Sequence, residues 1–116
     1  MATTVISPRS AEHYTWGNGC DAWYLVRTPE LNIIEERMPA GTAETPHSHL
    51  RARQFFFVLA GELVLKVQGH ENLLRAGEGL EIAPGEVHQA ANRGPAEVRF
   101  LLTSQPPSHG DRMEAR

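Results

Sequence analysis

Turn signals recur along this chain at intervals of roughly eight to twelve residues, and that spacing leaves little room for a helix. Trp16-Gly17-Asn18-Gly19, Thr28-Pro29-Glu30, Pro39-Ala40-Gly41, Gly61-Glu62, Gly69-His70-Glu71-Asn72 and Ala83-Pro84-Gly85 each interrupt it. No segment holds a 3.6-residue apolar period over a helical length. The stretches between the breaks are short and rich in β-branched and aromatic residues: 23–27, 31–38, 54–60, 63–68, a short piece at 73–74, 80–82 and 97–104. The expectation is an all-β sandwich or barrel.

The 116 residues amount to one domain. Its core is expected at about 31–104, with an N-terminal arm over 1–20 and a C-terminal tail over 105–116. A net charge of -3 offers no basic footprint for nucleic acid or an anionic membrane. The opening Met-Ala-Thr-Thr-Val-Ile-Ser-Pro lacks the charged start and apolar core of a signal peptide. No apolar run approaches the roughly 18 residues of a membrane span. The lone Cys20 excludes an intrachain disulfide and suits a reducing compartment, so a cytoplasmic location is expected.

Side-chain parity adds detail, because successive residues of a strand face opposite ways. Glu35 and Glu36 cannot both look inward, and a solvated edge accounts for both. If Gln54 faces inward, Phe56 and Val58 do too, while Phe55, Phe57 and Leu59 make an equally apolar outer face. An exposed outer face should be polar, so this one needs a cover: the chain's own second sheet or another subunit. We expect a homodimer. Leu63, Leu65 and Val67 alternate with Glu62, Lys66 and Gln68 in the half-buried pattern. Val98, Phe100 and Leu102 share the inner side of the last strand. His13, Tyr14 and Trp16 either lid a pocket or pack on a partner, or belong to a loosely held arm. His70 is expected in solvent at a hairpin tip, and His109 in a mobile, proline-broken tail.

In an extended His47-Ser48-His49 the two imidazoles point the same way, an arrangement suited to gripping one metal ion. A third, His88, follows the Pro84-Gly85 turn and shares a face with small Ala90 and with Asn92. Gly41, His47, His49, position 54 and Gly61 have the spacing of the first motif of the cupin superfamily. Gly77, Gly85, His88 and Asn92 have that of the second. The sequence therefore resembles a small single-domain cupin over about residues 33–104, and the resemblance implies a double-stranded β-helix. It departs from the pattern at two positions. Gln54 stands where the family usually has a glutamate, and Ala83 where it has a proline.

The resemblance implies a divalent transition metal (Zn, Fe, Ni, Mn or Cu) on His47, His49 and His88. Gln54 would be a weak fourth ligand or a hydrogen-bonding neighbour. Three protein ligands leave open positions, as catalytic sites do. Phe56, Val58, Ala90, Phe100 and Leu102 would wall the site and suit a small, partly apolar molecule. Three readings follow: a metal-dependent enzyme of oxygenase, isomerase or lyase type; a non-catalytic ligand-binding module; and a sensor that acts through a partner. No phosphate-binding glycine loop or nucleophile elbow is present.

Overall fold

A computed structural model describes residues 4–115, so the reading of Met1 to Thr3 lies outside the described residues. No helix occurs among the described residues, and none is long and apolar enough to cross a membrane. Two antiparallel sheets face each other. The first runs β1 (Glu12–Trp16), β2 (Cys20–Arg27), β3 (Asn32–Met38), β10 (Val98–Gln105), β5 (Arg53–Ala60) and β8 (Gly79–Ile82). The second runs β11 (Arg112–Glu114), β4 (His47–His49), β9 (His88–Ala91), β6 (Glu62–Val67) and β7 (His70–Arg75). This is the jelly-roll, double-stranded β-helix arrangement.

Strand register carries single rows of side chains across the first sheet. Asn32 pairs with Ser104 and Ser104 with Gln54. Ile34, Leu102 and Phe56 form the next row, and Glu36, Phe100 and Val58 the one after. All of these rows face the second sheet, whose inward Leu63, Leu65 and Ala90 close the core beneath Phe56, Val58 and Phe100. The inward row of β3 alternates strictly, with Asn32, Ile34, Glu36 and Met38 all buried. The solvated-edge reading of Glu36 is therefore corrected. Its neighbour Glu35 points the other way and pairs with Arg99 at 3.0 Å.

Two turns show why glycine is required. Gln68 and Gly69 both have positive φ (49° and 81°) and join Val67 directly to His70. That is the two-residue type I′ geometry whose twist matches a hairpin. Gly61 also has positive φ, and a Cβ there would lie 2.5 Å from the Glu97 carbonyl oxygen. His70 is exposed as expected, but it opens β7 instead of sitting in the turn.

The flanks differ from a loose arm and a mobile tail. β1 forms a hairpin with β2 across the Gly17–Gly19 turn, pairing Trp16 with Cys20. β11 pairs with β4, placing Arg112 opposite His49 and Glu114 opposite His47. Backbone pairing outweighs the proline break because Asp111 anchors the return. Its carboxylate accepts the amide hydrogens of Leu50, Arg51 and Ala52 at 3.1, 2.9 and 2.9 Å. Among the described residues the outer face of β5 has no full cover, since the second sheet packs on the other side. Phe55 and Leu59 each remain 42% exposed.

Candidate metal centre

His47 and His49 are buried on the inner face of β4 while Ser48 between them turns away. β4 and β9 pair through His47 and His88, so the third ring arrives from the adjacent strand. Ring centroids lie 4.9 Å (His47 to His49), 4.4 Å (His47 to His88) and 5.6 Å (His49 to His88) apart. One nitrogen from each falls within 4.8 Å of the others, so the three could hold a metal ion.

Hydrogen bonding sets the chemistry of the rings. Nδ1 of His47 lies 2.8 Å from the Thr45 carbonyl oxygen, and Nδ1 of His88 lies 3.0 Å from that of Glu86. A carbonyl only accepts, so each Nδ1 carries the hydrogen and each Nε2 keeps its lone pair. Burial holds His47 down to about 4. His49 and His88 are also held below the usual histidine range, first by burial. All three are therefore neutral near pH 7, the form that ligates.

The unsatisfied atoms point to a cation. His88 Nε2, His49 Nδ1 and Gln54 Oε1 are buried without a hydrogen-bond partner, a costly condition unless something else meets them. Gln54 Nε2 donates to Ser104 Oγ at 2.9 Å, which commits the amide nitrogen and leaves the oxygen free. This donor set of imidazole nitrogens with an amide oxygen fits a divalent transition metal.

His47, His49 and Gln54 open onto a cavity of about 280 Å³. Of the apolar residues expected in its wall, Leu102 lines it. Phe56, Val58, Ala90 and Phe100 lie in the packed core, where the Phe56 ring stands edge-on to His88 at 6.0 Å. Tyr14 and Trp16 of β1 complete one side of the cavity, and His109 and Arg112 of the C-terminal return complete another. Asn92, the last residue of the second motif, serves the fold. Its Nδ2 donates to the carbonyls of Met38 and Ala96, and its Oδ1 accepts from Gly94 N–H.

The sequence reading missed two acids that line this cavity, Glu36 and Glu44. Burial, and secondarily the charge of Glu44, pushes Glu36 up to about 8. Burial pushes Glu44 up to about 7, with the Ala90 amide that it accepts at 2.9 Å opposing the rise. The signal for Glu36 was present in the apolar residues two places away on either side, Ile34 and Met38. Glu44 lies in the loop before β4, where no period reports orientation.

Comparison with known proteins agrees with this architecture. Over 69 residues the chain is 33% identical to the tetracenomycin polyketide synthase protein TcmJ of Streptomyces glaucescens, a match covering 58% of this chain and 46% of TcmJ. The chain thus spans about half the length of that relative. Among solved structures, an RmlC-like cupin from Shewanella frigidimarina superposes with a TM-score of 0.82 at 23% identity, covering 94% of this chain and 96% of that one. The polyketide cyclase RemF of Streptomyces resistomycificus superposes with 0.83 at 17% identity, covering 99% and 87%. At those identities the structural likeness speaks to the fold alone. The family model for the cupin domain matches residues 34–104, the span that carries both histidine motifs and most of both sheets, and the chain belongs to that family.

Proposed function

We propose that this protein binds a divalent transition metal through His47, His49 and His88, with the Gln54 amide oxygen turned to the same centre. We further propose that it acts on a small, partly apolar, oxygen-bearing molecule in the adjoining cavity. The observation that carries this reading is the cluster of three buried imidazoles with one nitrogen of each within 4.8 Å of the others, beside the unpartnered acceptors His88 Nε2 and Gln54 Oε1. A bound metal would supply Lewis acidity toward a carbonyl or hydroxyl oxygen, undiminished by a carboxylate ligand because position 54 is neutral. The chain's own residues do the rest. Ile34 and Leu102 give an apolar surface on which the body of the molecule can lie, and Tyr14 and Trp16 bound its far side. The core packing of Phe56 against His88 holds that ring in place. The names of TcmJ and RemF both concern polyketides. TcmJ, the relative matched by sequence, supports choosing an aromatic ketone as the ligand class proposed here. The single, buried Cys20 accords with a cytoplasmic location.

Metal analysis tests the reading. Protein purified without a histidine tag should carry about one transition metal per chain, and His47→Ala and His88→Ala should lose it. Added Zn²⁺, Ni²⁺ or Fe²⁺ at about one hundred times its dissociation constant should stabilise the metal-free protein by about 2.7 kcal/mol. For a domain of this size that is a melting-temperature rise of roughly 10 °C. No stoichiometric metal and no thermal gain would refute it. Metal-loaded protein that binds a ketone without turning it over would be a binding module instead.

A second copy of the chain is the proposed cover for the outer face of β5. Phe55 and Phe57 stack there with centroids 6.3 Å apart, beside Leu59. Three large apolar side chains in one row are more than a solvated strand face ordinarily shows.

A further inference from the structure

Glu36 is a buried carboxyl that the packing of the sheets does not explain. It is 7% exposed, and among the described residues it makes no ion pair and no hydrogen bond of ordinary geometry. The indole N–H of Trp16 approaches closely enough to offset a little of the carboxyl's rise, yet that N–H also has no partner of good geometry. Glu44 differs, since its carboxylate is tied to the Ala90 amide. An apolar side chain at position 36 would suit the row better, as Ile34 and Met38 on either side show. A buried carboxyl whose polar neighbour is the Trp16 N–H alone, and that lines the same cavity as His47, His49 and Gln54, invites a chemical explanation.

We propose that Glu36 is the proton-transfer residue of this cavity, removing hydrogen from the carbon next to a carbonyl in a neutral, partly apolar ketone. The inference rests on the metal-assisted reading above and deepens it to a reaction class, enolisation with isomerisation. The Glu36 carboxylate takes the proton, the C–H electron pair becomes a C=C bond, and the carbonyl π pair passes to oxygen. Where the ketone carries a β,γ double bond the enolate is a dienolate, and return of that proton to its γ carbon restores the carbonyl with the double bond moved into conjugation. No oxidant or reductant is consumed. A base whose affinity for protons lies near neutrality serves both halves of such a cycle, which agrees with the rise of Glu36 to about 8. A carboxylate of ordinary acidity would be a far weaker base.

Deuterium exchange tests this with a simple ketone in place of the natural substrate. The probe is the aromatic ketone α-tetralone in D₂O, followed by proton NMR, with metal content measured on the same samples. Wild-type protein should exchange the α-hydrogens faster than buffer. Glu36→Gln should lower the protein-dependent rate by about 100-fold or more with its metal retained, and Glu36→Asp should recover part of it. The rate should climb with pH along a one-proton curve that Glu36→Gln lacks. The groups that face Glu36 are Tyr14 from β1, Cys20 from β2 and Glu44 from the loop before β4. His47, His49, His109 and Arg112 stand across the cavity. All seven are present in the variant, so loss of the curve belongs to Glu36.

Wild-type protein that holds its metal and leaves the ketone unexchanged overturns the role of Glu36 alone, as does Glu36→Gln exchanging at the wild-type rate. Exchange through Glu36 in protein that holds no metal removes the metal reading and keeps the carboxylate. Protein that neither holds metal nor exchanges the ketone removes both.

Discussion

Replacing Glu36 with glutamine should make the metal-free protein more stable in alkali and leave it little changed in acid. Between the ordinary carboxyl value of 4.5 and about 8, the native state holds a proton that the unfolded chain has released. Stability therefore falls as pH rises through that window, and above it the native state carries the full penalty of a buried charge. At about 1.4 kcal/mol per pH unit, the interval corresponds to roughly 5 kcal/mol. Water entering the cavity and local relaxation reduce this, so we expect about 2–3 kcal/mol. Urea unfolding with a chelator present, at pH 5 and again at pH 9, measures it. Glu44 also titrates within this range, and His47 loses stability in the opposite sense as pH falls from 6.5 toward 4. The His47 contribution is common to wild type and variant and cancels in the difference, whereas the repulsion between Glu44 and Glu36 disappears with the substitution and forms part of the effect measured. A stability gap between the two proteins that is the same at both pH values would refute the argument, because it would show that Glu36 reaches solvent and titrates normally. A gain in stability at the expense of activity is the usual mark of a group kept for function.

Two further perturbations follow from the structure. Asp111→Ala removes the acceptor of three amide hydrogens on the loop that leaves His49. The melting temperature should drop by several degrees and metal affinity by about tenfold, the scale of a lost supporting contact around a ligand; calorimetric titration with Zn²⁺ reading wild-type affinity would contradict this. Phe57→Arg combined with Leu59→Lys places charge on the outer face of β5. Sedimentation velocity should show the wild type as a dimer at micromolar concentration and the double variant as a monomer of unchanged circular dichroism. A wild type that is monomeric throughout would end the dimer proposal.

Legibility in the sequence followed physical range. The inward parity of Gln54, Phe56 and Val58 was readable because a strand's period is local, and burial on β5 follows it residue by residue. The meeting of the three histidines was readable because two motifs with fixed spacing stood in for the long-range register that pairs His47 with His88. Glu36 was misread because its neighbour Glu35 made the pair look like a solvated edge, when the apolar residues at 34 and 38 were the better guide. The C-terminal return was misread for a different reason. Its pairing with β4 depends on Asp111 reaching amides some sixty residues away in sequence, and nothing local announces a contact of that span. The packing of Phe56, Val58 and Phe100 as core, with Leu102 at the cavity, depends on how far each sits along its strand. Parity alone does not report that depth.

β4 is only three residues long and is gripped on one side by β9 and on the other by β11. Two of its three residues are imidazoles, so the C-terminal strand acts as a handle on the rings proposed to hold the metal: fusion partners, tags or proteolysis at residues 112–114 should disturb their positions before they loosen the barrel.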